Sequence, residues 1–75
     1  MNSPRGVAVD QHGNILVCDF NNHRIQIFNP RGNLTLTFGS KGTRDGQFLY
    51  PFGIALDKED NIYITDSNHR VQVFW

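Results

Sequence analysis

The sequence predicts an all-β fold: antiparallel four-stranded propeller blades, present as an incomplete propeller. Three observations predict it. The chain repeats itself with a period of 47 residues, which becomes 46 after a one-residue gap. Inside each period the apolar residues alternate or run in short blocks bounded by Gly, Pro, Asn and Asp, the pattern of strands and turns. No stretch sustains a helical spacing. A unit of about 40–50 residues holding four short strands is the length of a propeller blade.

Residues 4–19, PRGVAVDQHGNILVCD, set over residues 51–66, PFGIALDKEDNIYITD, are identical at seven of sixteen positions. Residues 22–28, NHRIQIF, over 68–74, NHRVQVF, agree at five of seven, and both differences exchange Ile for Val. The first strand of each unit, Gly6–Asp10 and Gly53–Asp57, carries Val7/Val9 or Ile54/Leu56 on one face and Gly and Ala on the other. That narrow face suits the place where blades converge on a channel. The second strands, Ile15–Cys18 and Ile62–Thr65, are apolar at nearly every position, as a strand buried on both faces requires. The third strands, Arg24–Phe28 and Arg70–Phe74, alternate, and so does the fourth, Leu34–Phe38. Between them, 10–14 and 29–33 are turns, in which Gly13 and Gly32 supply positive φ and Pro30 presets the bend. Gly39–Gln47 is the crossover between units. Its glycines permit tight turns. It lacks the Gly-Lys-Ser/Thr ending of a phosphate loop and precedes a strand.

The first blade thus occupies 1–50, with its connector at 39–50, and the second occupies 51–75, stopping after its third strand. A propeller needs about four blades to close, so the chain is expected to be an excerpt of a longer protein or to assemble from several copies.

Seven Lys+Arg offset seven Asp+Glu, so no basic footprint for nucleic acid or anionic lipid stands out. One cysteine rules out an intrachain disulfide. No apolar run suffices for a signal peptide or a membrane span, and a cytoplasmic location is the expectation.

With Pro-x-Gly-Ile-Ala-x-Asp at 51–57, Asn-Ile-Tyr-Ile-x-Asp at 61–66 and Asn-His-Arg-Val-Gln-Val-Phe at 68–74, behind a spaced-glycine connector, the chain resembles the NHL repeats. Residues 4–28 match the same pattern. The naming triplet reads Asn22-His23-Arg24 and Asn68-His69-Arg70, with Arg in place of Leu. The closest likeness is to the C-terminal propellers of tripartite-motif (RING/B-box/coiled-coil) ubiquitin ligases. The resemblance implies a non-catalytic platform that recruits protein or RNA. It carries no ligase activity to these residues, because the RING, B-box and coiled-coil segments are not among them.

Asp19, His23 and Arg24 recur as Asp66, His69 and Arg70. An Asp-His pair has the chemistry for metal binding or acid–base work. Recurrence in every unit is the mark of frame residues, whereas a catalytic site is built once. Gly6, Asp10, Gly53 and Asp57 join the same repeat signature. Asp10 and Asp57 also have the placement for a channel metal, as in lactonase-like or lyase propellers, and a piece of such an enzyme is the alternative reading. No catalytic residue, metal ligand or cofactor is assigned. Cys18 answers to Thr65, so nothing demands a thiol there. On the family analogy, the rim carrying the inter-blade and second-to-third-strand loops is the binding face, and Arg5, Asn21 and Phe52 are the partner-binding candidates. Neutral charge favours protein targets over single-stranded RNA. Membranes are not expected as partners, whereas other blades or further copies of the chain are.

Overall fold

A computed structural model describes residues 3–74. Strands β1 (Pro4–Val9), β2 (Ile15–Asp19), β3 (Arg24–Phe28) and β4 (Leu34–Phe38) form one antiparallel sheet in that order. Strands β5 (Pro51–Leu56), β6 (Ile62–Asp66) and β7 (Arg70–Phe74) form a second. The all-β, antiparallel architecture of partial blades is as the repeat predicts. Both first strands begin two residues earlier than the apolar pattern indicates, since Pro4 pairs with Asp19 and Pro51 with Asp66 beyond a register irregularity. Both stop one residue sooner, because Asp10 and Asp57 leave the strand to organise the turn.

The register fixes the faces. Ala8, Leu16 and Ile27 lie abreast, as do Cys18, Ile25 and Phe38, and this face meets the second sheet. There Ile54 and Ile64 stand abreast, with Leu56, Ile62 and Phe74 beside them. Cys18, Ile25, Phe48 and Ile64 are the buried centre, and Phe38, Ile54, Ile62 and Phe74 pack around it. Phe48 comes from the connector, and its ring sits 5.8 Å from Phe74 and 6.2 Å from Phe38. Burying such rings is the largest apolar gain in so small a chain.

At Gly6 the two sheets meet backbone to backbone. A Cβ there would stand 2.6 Å from the carbonyl oxygen of Phe52, closer than any side chain permits, so only glycine lets β1 lie against β5.

One sequence expectation is corrected. Ile62–Thr65 was predicted to be buried on both faces, yet Tyr63 on β6 is exposed and Thr65 is half-buried, while the matching Leu16 and Cys18 on β2 are buried. The reason is positional. The face of β6 bearing Tyr63 has no further sheet against it among the described residues.

Three turns share one design. The side-chain oxygens of Asp10, Asn29 and Asp57 each accept from two backbone N–H groups, two and four residues on, at 2.9–3.0 Å. Each turn then places its fourth residue in the left-handed region: Gly13, Gly32 and, without glycine's freedom, Asp60 at φ 61°.

Candidate functional site

The strands have two ends, and the chain spends its polar residues differently at each. At the end formed by the Asp10 and Asp57 turns, a cleft of about 470 Å³ opens between Val9, Asp10, Gln11, Leu56, Asp57, Lys58 and Asp60. Both carboxylates are already engaged. Asp10 also accepts from the Asn14 amide at 2.9 Å, and Asp57 from the Asn61 amide at 2.8 Å and the Tyr63 hydroxyl at 3.0 Å. These bonds hold the Asp57 carboxyl below the ordinary range, its Asn61 side-chain bond contributing most. Asp10 is lowered too, its bonds to Asn14 and His12 outweighing the opposing effect of burial. Among the described residues, no three of His, Cys, Asp and Glu gather as a metal site.

At the opposite end the recurrent acids are buried. Asp19 accepts from Arg24 Nε at 2.8 Å and from the Asn22 amide at 3.1 Å. Asp66 accepts from Arg70 Nε at 3.3 Å, from the Leu49 N–H at 3.1 Å and from the Asn68 N–H at 3.0 Å. Arg70 reaches further into the connector, donating to the carbonyls of Thr43 at 2.7 Å, Gly42 at 3.4 Å and Gln47. The connector is thereby clasped to the second sheet while its Phe48 fills the seam between sheets. Such charge-assisted bonds to carbonyl and carboxylate are the strong kind. His23, with a left-handed backbone at φ 53°, accepts the Tyr50 N–H on Nδ1 at 3.1 Å. Burial, with Lys41 nearby, lowers its pKa from the usual 6.5. His69, its counterpart, is exposed.

Around this end runs a rim that does not repeat. The Arg5 guanidinium lies 4.5 Å above the Phe20 ring, Phe20 meets Tyr50 at 5.0 Å, and Tyr50 meets His23 edge-on at 4.4 Å. Asn21, exposed on the 3-10 turn Phe20–Asn22, donates to the Ser3 hydroxyl at 3.0 Å. Phe52 is exposed, and its own carbonyl oxygen is the atom that Gly6 lies against. The structure therefore brings Arg5 and Asn21 together through Phe20, whereas the Phe52 side chain lines a separate hollow with Thr65, Asp66, His69, Arg70 and Val71. Phe20 and Tyr50 belong to the wider set of loop residues the sequence offers for partner contact, and their pairing at 5.0 Å, which the sequence does not show, makes them the aromatic centre. Its signal was asymmetry: Ser67 replaces Phe20 and Ser3 replaces Tyr50 in the other unit. A cation over an aromatic face with a second ring behind it is the chemistry of an interface centre.

Cys18 is fully buried beneath Gly6, and burial pushes its thiol up to about 11. It is protonated and inert at neutral pH.

The family model of the NHL repeat matches residues 1–28 and 48–74. The chain is 42% identical over 74 residues to Protein brain tumor of Drosophila melanogaster, covering 95% of this chain and 7% of that protein. It is 50% identical over 40 residues to E3 ubiquitin-protein ligase TRIM71 of Bos taurus, covering 52% and 5%. It is 45% identical over 58 residues to RING finger protein nhl-1 of Caenorhabditis elegans, covering 77% and 6%. The chain spans less than a tenth of the length of these relatives. The propeller-enzyme alternative is not favoured by these matches.

Proposed function

Since the chain belongs to the NHL-repeat family, we propose that it is a non-catalytic pair of propeller blades that binds protein partners through the rim of Arg5, Phe20, Asn21, Tyr50 and Phe52. The wider setting is a tripartite-motif-like ubiquitin ligase or scaffold in the cytoplasm, to which these blades contribute target recognition. The Arg5–Phe20–Tyr50 stack carries the reading. It joins a cation, two aromatic rings and exposed amides at one end of the strands, where the recurrent Asp–Arg pairs are already spent on the frame. The zero formal net charge favours a protein over single-stranded RNA, whose binding would lean on many phosphate contacts.

The test places a photo-crosslinking amino acid at Asn21 or Phe52, with Lys58 at the opposite end as control. Protein adducts at Asn21 and Phe52 that are absent at Lys58, and that Arg5→Ala with Phe20→Ala removes, are the expected outcome. Equal adducts at both ends would overturn the choice of rim. Adducts that vanish with ribonuclease, from a complex that weakens steeply with salt, would replace protein with RNA.

A further inference from the structure

A formal net charge of zero conceals an uneven division along the strands. The end that carries the turns at 10–14, 29–33 and 57–61 holds Asp10, Asp57, Glu59 and Asp60 against Arg31 and Lys58. The opposite end, with the 3-10 turn and the connector, holds five of the seven Arg and Lys but only three of the seven Asp and Glu. Two of those three, Asp19 and Asp66, are buried and paired with Arg24 and Arg70. The third, Asp45, follows Arg44 in the connector. Arg5 and Lys41 are left. Both are exposed, and neither has a carboxylate within ion-pair distance among the described residues.

These two cations border one row of rings. Arg5 lies over Phe20, Phe20 meets Tyr50, and Tyr50 meets His23. Lys41 is near enough to His23 to oppose its protonation. It stands where the chain leaves β4, and a Cβ on Gly39 just before it would lie 3.5 Å from the Arg24 Cα. The row is built from the start of β1, the 3-10 turn and both ends of the connector. It lies at the strand ends and not on either outward sheet face, so a further blade packed on those faces leaves it open. An exposed ion pair is worth little by itself. A carboxylate held beside a guanidinium by apolar contact with neighbouring rings is partly withdrawn from water, and there the pair is stronger. Two cations are few for the many phosphate contacts on which RNA affinity rests.

Resting on the reading of this rim as the protein-binding end, we propose that its partner is a short acidic peptide segment. An apolar or aromatic side chain of that segment seats on the Phe20–Tyr50 pair, and Asp or Glu carboxylates on either side of it are received by Arg5 and Lys41. The Arg5 guanidinium takes a carboxylate through its N–H fork while its face stays on Phe20, whereas Lys41 acts as a point charge. His23, occupied by the Tyr50 N–H, holds Tyr50 in place.

A peptide array probed with the fluorescently labelled 75-residue chain tests it. The array sets one Phe or Leu among acidic, uncharged or basic neighbours, and retention by the acidic set alone is expected. The best acidic peptide is then titrated by fluorescence anisotropy. Arg5→Ala and Lys41→Ala should each weaken it by about 3–10-fold, and Arg44→Ala, which lies beside Asp45, by less than about 2-fold. Lys41→Glu should move the preference to a peptide with Lys in place of the acid, a swap that a loss of folding would not produce. Circular dichroism checks the sheets of each variant. Should Arg5→Ala lose them, the two Lys41 variants decide alone. Retention of uncharged or basic peptides as strong as that of acidic ones, or of none, overturns the proposal. So does tighter binding of a single-stranded uridine oligonucleotide than of any peptide. Photo-crosslinking from Asn21 separates this failure from that of the rim. Protein adducts there, with indifference to peptide charge, strike out the acidic partner and leave the rim. Acidic retention that Lys58→Ala removes and the Arg5 and Lys41 variants do not strikes out both.

Discussion

The two blades are written in nearly the same residues and hold them in different conditions. In the first, β2 is buried from Leu16 to Asp19, His23 is sealed under Tyr50, and Cys18 is fully covered. In the second, Tyr63, His69 and Val71 meet solvent. Yet the second blade grips the connector harder, through Asp66, Arg70 and Gln72. The comparison teaches that a repeat residue acquires its role from which neighbour reaches it. One His accepts a backbone N–H and the other does not, because only one has a connector laid across it.

The comparison breaks most severely at the residue the blades share. Phe48→Ala removes the ring that fills the seam and should cost about 3–5 kcal/mol, read by urea denaturation at low concentration. Loss of cooperative unfolding altogether would fit the same account, while a cost under about 1 kcal/mol would contradict it.

The paired glycines come next. In Gly6→Ala the new methyl meets the Phe52 carbonyl, which is backbone and cannot turn aside, so a penalty of about 1–3 kcal/mol is expected. In Gly53→Ala it meets the Thr65 hydroxyl, which can rotate away, and the change should stay below about 1 kcal/mol. Equal penalties would mean the seam is looser than the geometry requires.

The buried histidine of the first blade is tested by pH. Neutral His23 is the form that accepts from Tyr50, and its folded pKa lies below the usual 6.5. As pH falls, the unfolded chain takes up this proton first. The stability from His23 is complete above about pH 6.5 and drains away as pH drops through the folded value. His23→Asn, which tolerates the left-handed backbone, should flatten thermal stability between about pH 7 and 5.

The smallest effect concerns Asp60, which stands where the first blade has Gly13. Asp60→Gly relieves a left-handed Asp and loses its acceptance of the Gln11 N–H at 3.3 Å. The two should nearly offset, to within about 0.5 kcal/mol. A larger loss in chemical denaturation would reveal the Gln11 contact as a true tie between blades.

Much of the fold was legible because it depends on local pattern. Strand alternation, the turns at 10–14 and 29–33, and the narrow Gly-Ala strands follow from residue types at short spacing. What the sequence hid was relational. Nothing local to Tyr63 says that its face stays open while that of Leu16 closes. Arg70 looks identical to Arg24 in its repeat, and only the path of the connector gives it three carbonyl partners. The rim was half legible. Arg5, Asn21 and Phe52 are candidates by family analogy, but Phe20 and Tyr50 lie 30 residues apart and are joined only by the fold.

The covered sulfur of Cys18 gives the molecule a clock. It is the chain's single thiol, without exposed surface and raised to about 11. A disulfide-exchange reagent meets it only in the moments when β1 and β5 part. The speed at which that one sulfur is consumed therefore counts how often the seam opens, at native conditions and without denaturant.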